Sequence, residues 1–157
     1  MKTVITYGTF DLFHVGHVRL LKRLRGLGER LVVGLSTDEF NASKGKVTVI
    51  PYTQRKEILC AISYVDAVFA EESWEQKADD IRREQADIFA MGDDWAGKFD
   101  FLDDLVQVIY LPRTPNISTA ELKEVISAQH RERIQALRHA LEHVSSLVDE
   151  LERNPIK

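Results

Sequence analysis

The sequence predicts an α/β fold, a Rossmann-like, doubly wound parallel sheet of about five strands with a C-terminal helical extension. Three observations predict it. Short β-branched and apolar runs alternate with segments of helical period. The first strand pattern, helix pattern and second strand pattern follow one another closely, as in a βαβ unit. Beyond residue 118 no Gly or Pro interrupts the chain until Pro155, and residues 134–151 repeat apolar side chains in a heptad.

The elements follow in order. Residues 2–7 (K-T-V-I-T-Y) are β-branched and aromatic, and Gly8 ends them, which predicts a strand. Residues 12–27 repeat Val15, Val18, Leu21 and Leu24 at helical spacing, closed by Gly26 and Gly28. Residues 30–35 (R-L-V-V-G-L) read as a buried strand. Residues 37–52 have no period and carry Gly45 between Lys44 and Lys46, which predicts a mobile basic loop. A helix is expected over 53–64, a short strand over 67–69, and a helix over 73–84 opened by the capping box Ser73 with Gln76. Strands over 87–91 and 107–111 flank a polar turn, Gly92-Asp93-Asp94-Trp95, and a short helix near 101–105. Ser118 and Glu121 form a second capping box. From there one long helix, or two joined near His130, extends to Pro155. Ile134, Leu137, Leu141, Val144, Val148 and Leu151 are spaced 3, 4, 3, 4, 3. That seam either covers the chain's own domain or joins two copies. The expected division is a domain over 1–126 and a helical extension over 127–157.

The chain has 157 residues, 44% hydrophobic and 29% charged, with a net charge of −4. A nucleic-acid binder normally carries a basic surplus, so that class is disfavoured. Cys60, the only cysteine, excludes an intrachain disulfide framework and a multi-cysteine metal site. No apolar run reaches the length of a membrane span. A cytoplasmic protein with no membrane or nucleic-acid partner is expected.

The strongest chemical signal is residues 8–17, G-T-F-D-L-F-H-V-G-H, between the first strand and the first helix. Open α/β sheets bind ligands at that end of the strands. A helix start offers free N–H groups and a positive dipole end, both suited to phosphate. The segment is neither a G-x-G-x-x-G nor a P-loop pattern. His14 and His17 share one side of the first helical turn. They read as a metal pair, as structural caps, or as a cradle donating hydrogen bonds to phosphate. Gly16 between them lets a ligand approach the backbone.

H-x-G-H after a first strand resembles the signature of the nucleotidylyltransferase superfamily. A second signature of that superfamily, R-T-x-x-I-S-T, stands as Arg113-Thr114-Pro115-Asn116-Ile117-Ser118-Thr119. The blocks Y-G-T-F-D-L at 7–12, S-T-D-E-F-N at 36–41, W-E-Q-K at 74–77, M-G-D-D-W at 91–95, G-K-F-D-F-L at 97–102 and Y-L-P-R-T at 110–114 are similar to the bacterial glycerol-3-phosphate cytidylyltransferase family. The resemblance spans residues 1–125. It departs at Ser63, where the family often carries Arg, at Ala120 in place of a Thr, and in the long segment after residue 127.

The resemblance implies transfer of CMP from CTP to sn-glycerol 3-phosphate, giving CDP-glycerol and pyrophosphate. Ser63 motivates the alternatives: phosphocholine, phosphoethanolamine or another polyol phosphate as acceptor, or ATP as donor. A non-catalytic nucleotide-binding scaffold is a further alternative. His14, His17, Lys44 and Arg113 are the expected catalytic residues. Thr9, Phe10, Gly16, Lys46, Asp94, Arg113, Thr114, Ile117, Ser118 and Thr119 are expected around the nucleotide. Asp11, Asp38, Lys44, Arg55 and Lys77 are expected around the acceptor. Mg²⁺ is expected to accompany CTP, held mostly by phosphate oxygens and water. The same resemblance implies a homodimer.

Overall fold

The structure, a computed structural model, describes residues 1–115 and 117–153, with the side chains of 151 and 152 outside that description. Asn116 of the second signature and Pro155, the expected helix stop, lie outside the described residues, as does the side chain of Leu151 in the heptad seam.

Five parallel strands form one sheet in the order β3-β2-β1-β4-β5. They are β1 (Thr3–Gly8), β2 (Arg30–Ser36), β3 (Ala67–Glu71), β4 (Ile88–Gly92) and β5 (Gln107–Leu111). Helices α1 (Val15–Arg25), α2 (Asp38–Ser43), α3 (Tyr52–Cys60) and α4 (Lys77–Glu84) connect them, and α5 (Thr119–Arg153) follows. The chain steps outward from β1 to β2 and β3, then returns to pair β4 against the other edge of β1. That reversal beside β1 is the switch point at which such sheets open a crevice.

The strand pleat explains the two-sided core. On one face Val4, Leu31, Val33, Leu35, Ile88 and Ala90 pack with Leu21 and Leu24 of α1 and Leu59 of α3. On the other, Ile5, Tyr7, Phe89 and Met91 pack with Ile81 of α4 and with Phe99, Leu102 and Val106. Adjacent residues such as Val4 and Ile5 serve opposite faces, as a period of two requires. Near-continuous apolar runs are the signature of strands covered on both faces.

Two expectations change. Residues 37–52 are not an unstructured loop, because α2 fills part of them. Thr37 caps it, its hydroxyl accepting from the Phe40 N–H at 3.1 Å. A helix this short shows no apolar period. The helix expected from residue 73 begins at Lys77. The Gln76 carboxamide still accepts from the Ser73 N–H at 2.9 Å, so one arm of that box forms. The chain divides into two compact units, Met1–Thr119 and Ala120–Lys157. No described helix is long and apolar enough to cross a membrane.

Gly34 sits in β2 directly under the Tyr7 ring. A Cβ there would meet Tyr7 ring carbons at 2.3 and 2.4 Å. The ring is pinned, since its hydroxyl donates to Asp80 at 2.9 Å. Gly34→Ala is expected to cost about 1–3 kcal/mol, the usual range for overpacking. Urea denaturation reads this directly, and an unchanged midpoint contradicts the close approach.

Candidate active site

The buried polar residues are not scattered. Asp11 follows β1, Ser36 ends β2, Glu71 ends β3, and Arg55 and Lys77 open from helices at that same edge; all are at most 3% exposed. The carboxyl edge of the sheet is therefore where polar chemistry is concentrated.

The two histidines lie at the start of α1. His14 is its N-cap residue, with an extended backbone. Its Nδ1 accepts the Gly16 N–H at 3.0 Å, and Nδ1 of His17 accepts the His14 N–H at 3.3 Å. A neutral imidazole that accepts at Nδ1 must carry its proton on Nε2. Both rings thus present Nε2–H as their donor. Nε2 of His14 lies 3.4 Å from the Thr119 hydroxyl, which itself donates to the Asp11 carbonyl at 3.0 Å. The rings stack at 3.9 Å between centroids, with Phe10 and Phe13 against His17. Burial lowers the His14 pKa. For His17, burial and then the neighbouring His14 push it down to about 4, against a smaller opposing pull from Asp11. Both are neutral donors at neutral pH.

Gly16 is closely surrounded within the chain. A Cβ there would meet the His14 ring at 2.7 Å and a methyl of Ile117 at 3.0 Å. The glycine makes room for the histidine and for Ile117. Two non-glycine residues, Phe10 (φ 49°) and Leu12 (φ 47°), are left-handed on either side of Asp11. Such backbone costs of order 1–3 kcal/mol per residue and persists where neighbours enforce it. Here the Asp11 carboxylate accepts from Leu12, Val49 and Ile50 N–H groups at 2.9–3.1 Å.

Three residues expected at the acceptor are engaged within the chain. Asp11 binds backbone as described. Asp38 accepts from the Tyr52 N–H, the Thr48 hydroxyl and Arg55. These bonds, that to Tyr52 first, hold its pKa below the ordinary value. Arg55 donates through Nε to Ile50 O at 2.9 Å, through Nη1 to Thr9 O and Ser36 O at 2.6 and 2.9 Å, and through Nη2 to Asp38 at 2.7 Å. It ties the ends of β1 and β2 to the segment before α3. A buried guanidinium with this many carbonyl partners positions loops more than it offers a free fork.

Two lysines converge instead. Lys77 Nζ pairs with Glu71 at 2.6 Å and lies 4.5 Å from the Tyr7 ring centre and 4.7 Å from that of Trp74. Lys44 Nζ donates to the Ser36 hydroxyl at 3.2 Å and lies 3.9 Å over Phe40 and 5.2 Å from Trp74. Ser36 in turn bonds Glu71. Burial lowers the Lys44 pKa, partly offset by Glu71. Phe40, Trp74, Trp95 and Phe99 continue as a chain of ring contacts at 5.4–5.7 Å. The result is an aromatic niche holding two ammonium groups, chemistry that suits a small anion with a partly apolar body.

The remaining expected residues are spread along the same edge. The Thr9 hydroxyl donates to Asn41 at 3.0 Å. Phe10 is buried by its ring. Lys46, Asp94 and Arg113 are exposed, and Ser118 is buried. Arg23 of α1 donates to Pro112 O at 2.7 Å and to the Thr114 hydroxyl at 3.3 Å, anchoring the second signature. Arg23, Glu71 and Asn41 were not singled out from sequence. Asn41 lies in the block at 36–41, and Glu71 is an acidic residue shortly after a strand pattern that ends at Phe69.

Residues 5–125 match the cytidylyltransferase-like family model. The chain is 58% identical over 127 residues to a glycerol-3-phosphate cytidylyltransferase of Bacillus subtilis, covering 81% of this chain and 98% of that protein. It is 54% identical over 124 residues to one of Staphylococcus aureus, covering 79% of this chain and 94% of that protein. A crystal structure described as a lipopolysaccharide core biosynthesis protein from Thermoplasma volcanium superposes with a TM-score of 0.63 at 22% identity, covering 73% of this chain and 98% of that one, a likeness of fold.

The depressed His17 pKa has a consequence for stability. The unfolded chain protonates this histidine near 6.5, the folded chain only near 4. Between those values the unfolded state binds more protons, so stability falls as pH is lowered from about 6.5 to about 4. His17→Gln is expected to flatten that part of the profile in urea titrations at a series of pH values. An undiminished slope contradicts the buried, neutral assignment.

Proposed function

The chain belongs to the cytidylyltransferase-like family, and from that premise we propose that it transfers CMP from CTP to sn-glycerol 3-phosphate, releasing pyrophosphate and forming CDP-glycerol. The observation that carries this reading is the pair of neutral Nε2–H donors at the start of α1, set within the segment shared with the glycerol-3-phosphate cytidylyltransferases.

A phosphomonoester has a second pKa of about 6, so the acceptor is largely dianionic near neutral pH. Its oxygen attacks the α-phosphorus of CTP, a new P–O bond forms, and the bond to the bridging oxygen of the leaving pyrophosphate breaks. No base is needed. The histidines are also unsuited to that role, because each Nδ1 already accepts a backbone N–H. Their work is to donate to the α-phosphate and bridging oxygens as charge builds there. Arg113, Thr114, Ser118 and Thr119 hold the outer phosphates at the start of α5, with Lys46 closing from the segment after α2. Asp94, in the turn after β4, accepts from a sugar hydroxyl. Lys44 and Lys77 take the acceptor phosphate in the aromatic niche. Asp11, Asp38 and Arg55 fix the loops around it.

Mg²⁺ fits as an ion carried in with CTP. Its phosphate oxygens and water would ligate the ion. When bound it neutralises triphosphate charge. The enzyme works as a cytoplasmic homodimer on small-molecule substrates.

Pyrophosphate release tests the assignment. The purified protein is mixed with CTP or ATP and each of glycerol 3-phosphate, phosphocholine and phosphoethanolamine. Release is expected with CTP and glycerol 3-phosphate, and preference for another pair contradicts the acceptor or donor named. His17→Ala is expected to lower kcat by about 10²–10³, the scale of losing one positioned donor; an unchanged kcat removes the cradle. Lys77→Ala is expected to raise KM for the acceptor tenfold or more, with CTP affinity unchanged as evidence of an intact fold. Selective loss of CTP binding contradicts its place.

A further inference from the structure

Helix α5 carries an apolar stripe that none of the chemistry uses. Ile134, Leu137, Leu141, Val144, Leu147 and Val148 are all 45–69% exposed. Large side chains left open in such a row mark a surface that associates. The helix is single and unbroken over 35 residues, about 52 Å at 1.5 Å per residue. The relative from Bacillus subtilis is covered to 98% by a match of 127 residues, so the stripe is an addition to the family's shared part.

The stripe itself indicates what covers it. Ile134, Leu141 and Val148 occupy a positions, Leu137 and Val144 d positions, and Ala140 and Leu147 g positions. Charge is divided along the same helix. Residues 131–138 hold Arg131, Arg133 and Arg138 against Glu132, and residues 142–150 hold Glu142, Asp149 and Glu150 with no Lys or Arg. One half is basic and the other acidic. In a parallel pair Arg133 at g would face Arg138 at e of the second copy, twice over, and like charges there oppose association. In an antiparallel pair each basic half lies along an acidic half. Leu141 then layers with Val144 of the second copy, Leu137 with Val148, and Ala140 beside Leu147.

We propose that α5 docks a second copy of this chain through residues 134–148 as an antiparallel two-helix pair. A surface that is complementary to itself about a two-fold axis is the usual basis of a closed dimer. The pairing does not depend on the reaction assigned above. It also places this contact outside the part shared with the relatives.

Sedimentation of the full chain tests it. Leu141→Asp with Val144→Asp is expected to halve the assembly mass while pyrophosphate release is retained. An unchanged mass, or a wild-type chain that is monomeric, overturns the proposal. Orientation is read by spin labels on Gln129→Cys in a Cys60→Ser background. Antiparallel pairing puts the labels about 40 Å apart or more, from the rise per residue. A short label distance, as from two labelled sites side by side on helices about 8–10 Å apart, overturns it.

Discussion

Two backbone N–H groups at the start of α1, each donating to an imidazole Nδ1, constrain the rest of the site. Every helix leaves its first N–H groups without intrahelical partners, and Ser, Thr, Asp or Asn usually satisfies them. Here His14 and His17 do so for one another's turn. The cap thereby fixes which nitrogen of each ring holds the proton. Gly16 is small because the His14 ring lies where a side chain would be. Thr119, from the far end of the second signature, comes in to meet Nε2 of the same ring. Helix start, tautomer and the joining of two distant motifs are one arrangement.

A second arrangement holds the loops around that helix start. Arg55 draws Thr9, Ser36, Asp38 and Ile50 together, and Asp11 gathers the Val49 and Ile50 N–H groups. Beside it, Glu71 keeps the Lys77 ammonium in a nearly dry setting. Removing one partner of such a pair leaves a buried charge, which is why both ends are costly to change. No buried side-chain N or O atom among the described residues lacks a partner. The chain's own hydrogen bonds hold these side chains in place, and preorganised donors need little rearrangement when charge develops.

The sheet was legible because its strands are buried on both faces and read as apolar runs of the right length. β5 was located at its observed limits. Helix α2 was not legible, since six residues are too few to show a period and its cap, Thr37, looked like a loop residue. His14 and His17 were legible as a candidate site from type and spacing, but their partners at Nδ1 were not, because those bonds depend on where α1 begins. Arg55, Asp38 and Asp11 were legible as charged residues at the carboxyl edge of the sheet, but the intrachain bonds that engage them were not. Sequence shows a charged residue near a site, whereas only geometry shows that its hydrogen bonds are already made. The heptad in α5 was legible from period alone, and its exposure is what the structure adds.

The arrangement at the start of α1 depends on where two protons sit. Long-range ¹H–¹⁵N spectra of the histidine-labelled protein at neutral pH read the state of each ring nitrogen. The account predicts that His14 and His17 both carry hydrogen on Nε2 alone, with Nδ1 showing the signature of an acceptor. A proton on Nδ1 of either ring, or an imidazolium at neutral pH, would contradict it.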